Sequence, residues 1–188
     1  MKYPAEHYTR AECLAIMNAC GDSWTGKRNR ALIVVMWRSG LRLAEALAVK
    51  TWDINLDEKT IRIRHGQGDK ARTVGFDKKT VEELQAWIIA RGSPLHEKDY
   101  LICTRVGDPL KQSYVRSLLP RLARKAGITK RVHAHGFRHT FAVELARERV
   151  PAVHIQRLLG HSSLATTSVY LASLSPEETL DSVRERKW

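Results

Sequence analysis

Five polar residues between positions 42 and 170 are of the types that could break a phosphodiester bond without a metal ion. They are Arg42, His135, Arg138, His161 and Tyr170. Guanidinium groups can hold a phosphate through paired hydrogen bonds, imidazoles can move protons near neutral pH, and a phenol can attack phosphorus. The set suggests cleavage of a phosphodiester by a protein nucleophile.

The spacing of the first residues leaves a structural alternative open for each of them. His135 and Arg138 are three residues apart, so a helix would place both on one face, where they could grip one phosphate. A helix cap at His135 and a solvated Arg138 are the alternative. Arg42 could likewise form a surface ion pair with Glu45 rather than bind a ligand.

The last two residues also have structural interpretations. His161 follows Gly160, which ends a predicted helix, so it could be a capping or core histidine. Tyr170 lies between Val169 and Leu171 on the next predicted helix, where most tyrosines are core or interface residues. Neither residue is diagnostic alone, so the interpretation depends on the whole set.

A metal site is a rival explanation for the histidines. His135 and His139 are four residues apart, which suits two ligands on one helix face, but no glutamate lies between them and no third ligand has a suitable spacing. Cys13, Cys20 and Cys103 are odd in number and lack metal-ligand spacing, and Cys13 and Cys20 lie seven apart in an apolar-periodic stretch, so buried free thiols are expected at these two positions. We predict no metal and no other cofactor.

Composition is that of a globular protein that attracts polyanions. The 188 residues suffice for one well-buried domain, and the formal net charge is +12. Nucleic acid is the commonest cytoplasmic polyanion, although lysines scattered over a basic protein would give the same charge. Because no apolar run reaches the length of a membrane helix and the first residues do not form a signal peptide, we expect a cytoplasmic protein that does not contact a membrane.

The elements that must position these residues are mostly helices. A capping box over Thr9 to Glu12 begins the first helix, and the apolar run over 27–39 predicts a buried central helix ended by Gly40. Further helices are predicted over residues 42–49, 77–91, 112–126, 136–149, 152–159, 164–171 and 175–188. The predicted fold is mainly α with a small antiparallel β-sheet, in the α+β class.

A β-hairpin supplies that sheet. Residues 60–64 alternate in polarity, residues 66–69 form a turn, and residues 71–76 return. The hairpin carries the basic residues Arg62, Arg64, Lys70 and Arg72. An exposed basic hairpin is suited to contact a DNA groove.

Four segments together resemble the catalytic domain of the tyrosine recombinases, the phage integrase family. They are Ser39 to Leu47, His135 to Ala142, Leu159 to His161, and Thr167 to Tyr170. Their order and the short gap before Tyr170 also fit, and the resemblance covers essentially the whole chain. It implies the tyrosine recombinase catalytic-domain fold.

The resemblance also implies a site-specific DNA recombinase or integrase that needs neither metal nor ATP. Tyr170 would attack a DNA phosphate and leave a 3′-phosphotyrosyl bond and a free 5′-hydroxyl, and a 5′-hydroxyl from a partner duplex would reverse the step. Arg42 and Arg138 would hold the non-bridging oxygens. His135 would accept the tyrosine proton, and His161 would bind a phosphate oxygen.

One position departs from the family pattern. The family usually has a lysine in the hairpin turn, but here that place is taken by Gln67, which cannot act as an acid. Lys70 is the nearest substitute for protonating the 5′-oxygen. Glu45 is expected to orient Arg42 or His135. DNA contacts are expected from Arg62, Arg64, Gln67 and Arg72.

The resemblance implies double-stranded DNA as the partner and a homotetramer assembled on it through the segment after Tyr170. Leu180 and Val183 in that segment could instead pack within their own chain. Residues 1–188 are expected to form a single catalytic domain, without the N-terminal helical domain with which family members clasp the other side of the duplex.

Three other functions stay compatible with parts of the pattern. A non-catalytic DNA-binding regulator or a decayed recombinase would share the charge and the hairpin, and Gln67 favours this alternative. A topoisomerase would share the chemistry but would not exchange strands between two duplexes. The intact set of Arg42, His135, Arg138, His161 and Tyr170 argues against decay. A metal-dependent nuclease would need clustered aspartates or glutamates, which the sequence does not show.

Overall fold

The computed structural model describes residues 7–64, 71–92 and 99–161 and confirms the mainly α fold with a small antiparallel sheet. The helices in these ranges are α1 (Arg10–Ala19), α2 (Trp24–Arg38), α3 (Leu43–Ala48), α4 (Lys78–Arg91), α5 (Gln112–Lys125), α6 (Ala134–Arg147) and α7 (Ala152–Leu159). The strands are β1 (Ile54–Asn55), β2 (Thr60–Ile63) and β3 (Arg72–Gly75). The helices predicted over 164–171 and 175–188 lie outside the described residues.

Helix α2 is the centre of the fold because its middle stretch is apolar on all sides. All residues from Ala31 to Trp37 are buried, and α1, α4 and α6 pack around the helix. The buried central helix is confirmed. It begins at Trp24, three residues before the predicted start, because the Ser23 hydroxyl caps it by accepting a hydrogen bond from the amide of Gly26.

Side-chain caps set the starts of two other helices, as the sequence predicts. Thr9 and Glu12 form the predicted capping box at the start of α1. The Asp77 carboxylate accepts a hydrogen bond of 2.9 Å from the amide of Thr80 and begins α4, which ends at Arg91. These local signals succeed because each cap needs only residues within one turn.

The sheet has the strand order β1-β2-β3, and both pairs are antiparallel. Ile61 and Ile63 of β2 are buried, whereas Arg62 between them is exposed, so one face of the sheet covers the core. The two predicted hairpin strands are confirmed. Residues 65–70, which include the predicted turn, lie outside the described residues.

The segment before α1 braces the start of α6. The amide of Tyr8 donates to the Thr140 hydroxyl at 2.8 Å, and the amide of His133 donates to the Tyr8 hydroxyl at 2.8 Å. The Tyr8 ring lies against Gly136 and packs edge-on against Phe137, with 5.0 Å between ring centroids. The first turn of α6 therefore depends on a side chain more than a hundred residues away along the chain.

None of the helices in the described ranges has the length and apolar character that a membrane span requires.

The Gly136→Ala substitution should lower the free energy of unfolding by roughly 1–3 kcal/mol, because a Cβ atom there would overlap the Tyr8 ring and hydroxyl. This steric cost outweighs the gain of about 1 kcal/mol from replacing glycine by alanine inside a helix. Urea unfolding would measure it. Gly75→Ala is the control, because its Cβ would have no atom nearer than 3.8 Å. Equal stability of both variants would contradict the Tyr8 contact.

Candidate active site

The turn between α2 and α3 brings Arg42 to the site. Gly40 has a φ of 62°, in the left-handed region that favours glycine, and a Cβ atom there would overlap the Phe141 ring. Arg42 follows as the N-cap of α3. The carbonyl of Gly40 also accepts a hydrogen bond of 2.7 Å from Nη1 of Arg138, so one turn positions both arginines.

The carboxylate of Glu45 lies at the centre of the site, with a side chain that is 5% exposed. It accepts hydrogen bonds from the backbone amide of Arg42 at 2.8 Å and from Arg42 Nη1 at 3.1 Å. Arg72 binds both of its oxygens, with Nη1 at 2.8 Å and Nη2 at 2.7 Å, and Arg138 Nη1 lies 4.0 Å away. Of the two partners expected for Glu45, the structure brings Arg42 into contact with it.

The charge of Glu45 is stabilised in place. Burial alone would raise the pKa of this carboxyl, but hydrogen bonds from Arg72 and from the Arg42 amide, with the charges of Arg72 and Arg138, lower the pKa below its ordinary value. Glu45 is therefore a fixed anion among three guanidinium groups. This state suits orientation of the arginines and does not suit proton transfer near neutral pH.

Arg138 joins α6 to the end of α7. Its side chain is 1% exposed, and its Nη2 donates to the carbonyl of Leu159 at 2.5 Å and lies 2.9 Å from Nε2 of His161. Arg42 Nη1 reaches the same Leu159 carbonyl at 3.4 Å. Because an arginine only donates, Nε2 of His161 is the acceptor and Nδ1 carries the proton.

Both candidate histidines are neutral at pH 7. Burial, with the charges of Arg138 and Arg42, lowers the pKa of His161 to about 4. The pKa of His135 is also lowered, first by the protein atoms that exclude water from its ring and then by Arg138 and other nearby cations, although the residue is exposed at the start of α6. A neutral imidazole at His135 is able to accept a proton.

An open cavity of about 450 Å³ lies beside His135 and the two arginines, and its described lining contains no carboxylate. Arg42, His135 and Arg138 line it, and so do Arg116 of α5 and Arg131 before α6. A cavity whose described lining has four arginines and no carboxylate favours an anion the size of a phosphate group. Arg116 and Arg131 were not predicted as site residues, because single arginines in a basic sequence carry no distinguishing pattern.

The hairpin arginines have different environments. Arg62 is exposed, and Arg64 pairs with Asp53 at 2.6 Å and has a side chain 41% exposed. The expectation of an exposed Arg72 is wrong, since its side chain is 11% exposed and is bound to Glu45. The reason is its register: Arg72 pairs with the buried Ile63, so both side chains project from the inner face of the sheet. DNA contacts by these arginines stay predictions.

Three predicted site residues, Tyr170, Lys70 and Gln67, lie outside the described residues, so their roles stay predictions. His139 is buried on α6, with its ring 5.9 Å from that of His7. The described ranges contain no group of three or more potential His, Cys, Asp or Glu ligands that could hold a metal ion. Cys13 and Cys20 are free thiols, as predicted, with Cys13 buried and Cys20 half-buried, and Cys103 is a buried free thiol as well.

The known proteins that are similar to this chain in sequence are named as tyrosine recombinases. The model of the phage integrase family matches residues 7–176. The tyrosine recombinase XerA of Thermococcus kodakarensis is 38% identical over 149 residues, which are 78% of this chain and 51% of the relative. The chain thus spans about half the length of the curated relatives it matches.

Solved structures give the same result for the fold. A crystal structure of XerA recombinase matches with a TM-score of 0.83 and 29% identity, over 97% of this chain and 66% of the other. The site-specific recombinase XerH, bound to its palindromic difH substrate in a post-cleavage complex, matches with a TM-score of 0.79 and 30% identity, over 98% and 54%. The predicted catalytic-domain fold is confirmed.

Acidification should destabilise the protein through His139 and His161. The pKa of each is lowered to about 4, for His139 by burial and then by neighbouring histidines, whereas unfolded histidines have a pKa of about 6.5. Between these values the unfolded chain binds more protons, so the stability present above pH 6.5 is lost as the pH falls toward 4. Each histidine adds a slope of up to about 1.4 kcal/mol per pH unit.

Urea unfolding between pH 6.5 and 5 measures this slope above the range where most carboxylates protonate. His139→Gln removes one of the two histidines whose pKa is lowered to about 4, and should reduce the slope by up to about 1.4 kcal/mol per pH unit. An unchanged slope in His139→Gln would show that His139 is not buried in its neutral form.

Proposed function

The chain belongs to the phage integrase family, and from this premise we propose that it is a site-specific DNA recombinase. It cuts and rejoins DNA through a covalent 3′-phosphotyrosyl bond to Tyr170. The observation that carries the proposal is that Arg42 and Arg138 share the Leu159 carbonyl and line a cavity whose described lining has no carboxylate, while Arg138 also contacts His161. Two guanidinium groups and a neutral imidazole suit a phosphodiester better than an uncharged substrate.

In the proposed reaction the Tyr170 oxygen attacks phosphorus and the 5′-oxygen of the next nucleotide leaves. Arg42 and Arg138 stabilise the charge on the non-bridging oxygens of the pentacoordinate transition state, and positioned donors of this kind contribute roughly 3–4 kcal/mol each. A phenol with an ordinary pKa near 10 needs a base to react at neutral pH. His135, neutral and exposed at the rim of the cavity, is the proposed base.

His161 has a role set by its contact with Arg138. Its Nε2 accepts from Arg138, so Nδ1 holds the proton that it can donate to a phosphate oxygen. Its backbone is tied to α7, because the His161 amide donates to the Gln156 carbonyl at 3.1 Å and the Gln156 side chain donates to the His161 carbonyl at 3.1 Å. These three contacts keep the His161 ring in a fixed position as a proton donor.

Protonation of the leaving 5′-oxygen is assigned to Lys70, since Gln67 occupies the place where the family usually has a lysine. Lys70 follows Gln67 by three residues in the sequence, and its ammonium group is a proton donor of the kind that an alkoxide leaving group needs. If no residue protonates the leaving 5′-oxygen, cleavage should be slow, and the cause would be Gln67 in place of a lysine.

The proposed partner is double-stranded DNA, which the formal net charge of +12 and the cationic cavity support. We further propose that residues 1–188 act as a catalytic domain and assemble as a homotetramer on DNA through the segment after Tyr170. A DNA partner also agrees with the expected cytoplasmic location. The similar XerH has been captured on its difH substrate in a post-cleavage complex, and DNA binding and cleavage by this chain are inferred by extension.

Trapping of a covalent protein–DNA adduct tests the reaction. Nicked duplexes with randomised arms are first selected for binding to the chain. They are then incubated with the chain and EDTA, and cleavage near the nick releases a short strand whose loss prevents religation. A denaturant-resistant adduct is expected with the wild-type chain, and its rate should fall below detection in Tyr170→Phe, which lacks the attacking oxygen. Tyr100→Phe is the control for the same chemical change away from the cavity.

DNA binding without an adduct would contradict the proposal for the wild-type chain and would direct attention to Gln67. If the Gln67→Lys variant then forms the adduct, the rest of the site is intact and the wild-type chain lacks only an acid. If it does not, a DNA-binding protein without catalysis becomes the better description. Transfer of a strand to a second duplex separates a recombinase from a topoisomerase.

Removal of the residues after Ser175 should abolish assembly on DNA while leaving Tyr170 in the chain. The proposed reason is that Leu180 and Val183 contact a neighbouring protomer. Sedimentation of the protein–DNA complex at increasing protein concentration measures the number of protomers per duplex pair. A truncated chain that still forms the larger complex would refute the docking role, and the truncated chain without DNA serves as the reference.

A further inference from the structure

Arg72 connects three elements that carry the candidate active site. From strand β3 its two Nη atoms bind both oxygens of Glu45 on α3, and its Nε donates to the carbonyl of Leu158 at 3.0 Å near the end of α7. Its guanidinium lies against Gly160, where a Cβ atom would stand 3.1 Å from Nη1. Arg72 therefore touches the residues on both sides of Leu159, whose carbonyl Arg42 and Arg138 share.

The carboxylate geometry shows what Arg72 does for the other two arginines. A carboxylate has about four acceptor positions, and here two are used by Arg42 and two by the fork of Arg72. Arg138 Nη1 lies 4.0 Å from Glu45 and instead donates to the Gly40 carbonyl. Without Arg72, two positions of a buried anion would be vacant, and Arg138 is the nearest cation that could move to occupy them.

The end of α7 depends on the same side chain. The last carbonyls of a helix lack partners within the helix and favour contact with cations. Arg72 takes the Leu158 carbonyl and Arg138 takes the Leu159 carbonyl, one residue apart. His161 follows two residues later, so the height and tilt of this helix end set where the imidazole lies.

We propose that Arg72 is a positioning residue of the cleavage site, which occupies half of the Glu45 carboxylate and holds the end of α7 so that Arg42 and Arg138 keep their places at the cavity and His161 keeps its place beside Arg138. The inference rests on the proposed function for its kinetic consequence. It replaces the DNA contact that the sequence suggested for Arg72, because an arginine 11% exposed and bound through its Nε and both Nη atoms is not a groove-reading side chain.

The chain offers a matched comparison on the neighbouring strand. Arg62 lies on β2 and is exposed, and its cross-strand partner Thr73 is adjacent to Arg72. The substitutions Arg72→Met and Arg62→Met each remove one positive charge, from the inner face of the sheet at Arg72 and from its exposed face at Arg62. Arg72→Lys keeps a charge beside Glu45 but cannot form the two-pronged contact.

The experiment measures DNA affinity against salt and the single-turnover rate of adduct formation on the selected nicked duplex, for the full chain and each variant. Arg72→Met should bind DNA within about threefold of wild type with an unchanged salt slope, and form the adduct about 10- to 100-fold more slowly. Arg62→Met should bind more weakly and reduce the salt slope by about one. Arg72→Lys should be intermediate in rate.

The pKa of His161, followed by NMR, gives a readout that does not need activity. In Arg72→Met it should rise, because a cation is lost and the Glu45 anion is left less compensated, and both changes favour the imidazolium. The double variant Arg72→Met/Glu45→Gln should form the adduct no more slowly than the slower single variant. The reason is that both substitutions disrupt the same contact, the one between Arg72 and Glu45.

Three results would overturn the proposal. One is a lower DNA affinity and salt slope in Arg72→Met with a wild-type rate at saturating DNA, which would make Arg72 a DNA contact. Another is a wild-type rate in Arg72→Lys, which would show that the fork is not needed. An unchanged His161 pKa in folded Arg72→Met is the third. If the wild-type chain forms no adduct, the proposed function fails, and the His161 pKa still decides the positioning role.

Discussion

The buried carboxylate of Glu45 is the constraint on which the site depends. Removing a carboxylate from water costs several kcal/mol, about as much as good ion pairs return, so the group stays charged only where donors occupy its oxygens. The amide and Nη1 of Arg42 and the fork of Arg72 meet this need, while Arg138 lies 4.0 Å away. One anion among three guanidinium groups leaves a surplus of positive charge. That surplus keeps an anionic ligand attractive even though every arginine already has a partner.

The scaffold converts this local charge balance into fixed geometry. Arg42 and Arg138 come from distant parts of the chain, yet both depend on the Gly40 turn, which leads into α3 and offers its carbonyl to Arg138. The Phe141 ring occupies the space beside Gly40, so α6 and the turn are packed directly together. Tyr8 then braces the first turn of α6 from the opposite end of the chain. A shift of the Gly40 turn would therefore move both arginines, and a shift of α6 would move Arg138.

The sequence could predict features that are local or periodic, and it failed where a side chain's direction depends on strand register. The caps at Thr9 and Asp77 involve neighbours within one turn, and the apolar run of α2 can only be buried. Arg72 looked like another exposed hairpin arginine because alternation shows that two faces exist without showing which face is inward. Its pairing with Ile63 decides the matter, and pairing depends on the length and shape of the turn. Arg116 approaches the cavity only through the tertiary packing of α5, which no spacing encodes.

Together with burial, the arginines lower the pKa values of the histidines, and binding of a phosphate would reduce the effect of the arginines. In the free protein Arg138 and Arg42 help to hold the pKa values of His135 and His161 below the ordinary histidine value, so both rings are neutral but weakly basic. A phosphodiester entering the cavity would bring a negative charge to the same guanidinium groups and offset their effect on the imidazoles. The pKa of His135 would then move upward, toward the range in which a general base works best near neutral pH. Substrate binding would in this way strengthen the proposed base at the moment when a proton has to be accepted from the attacking phenol.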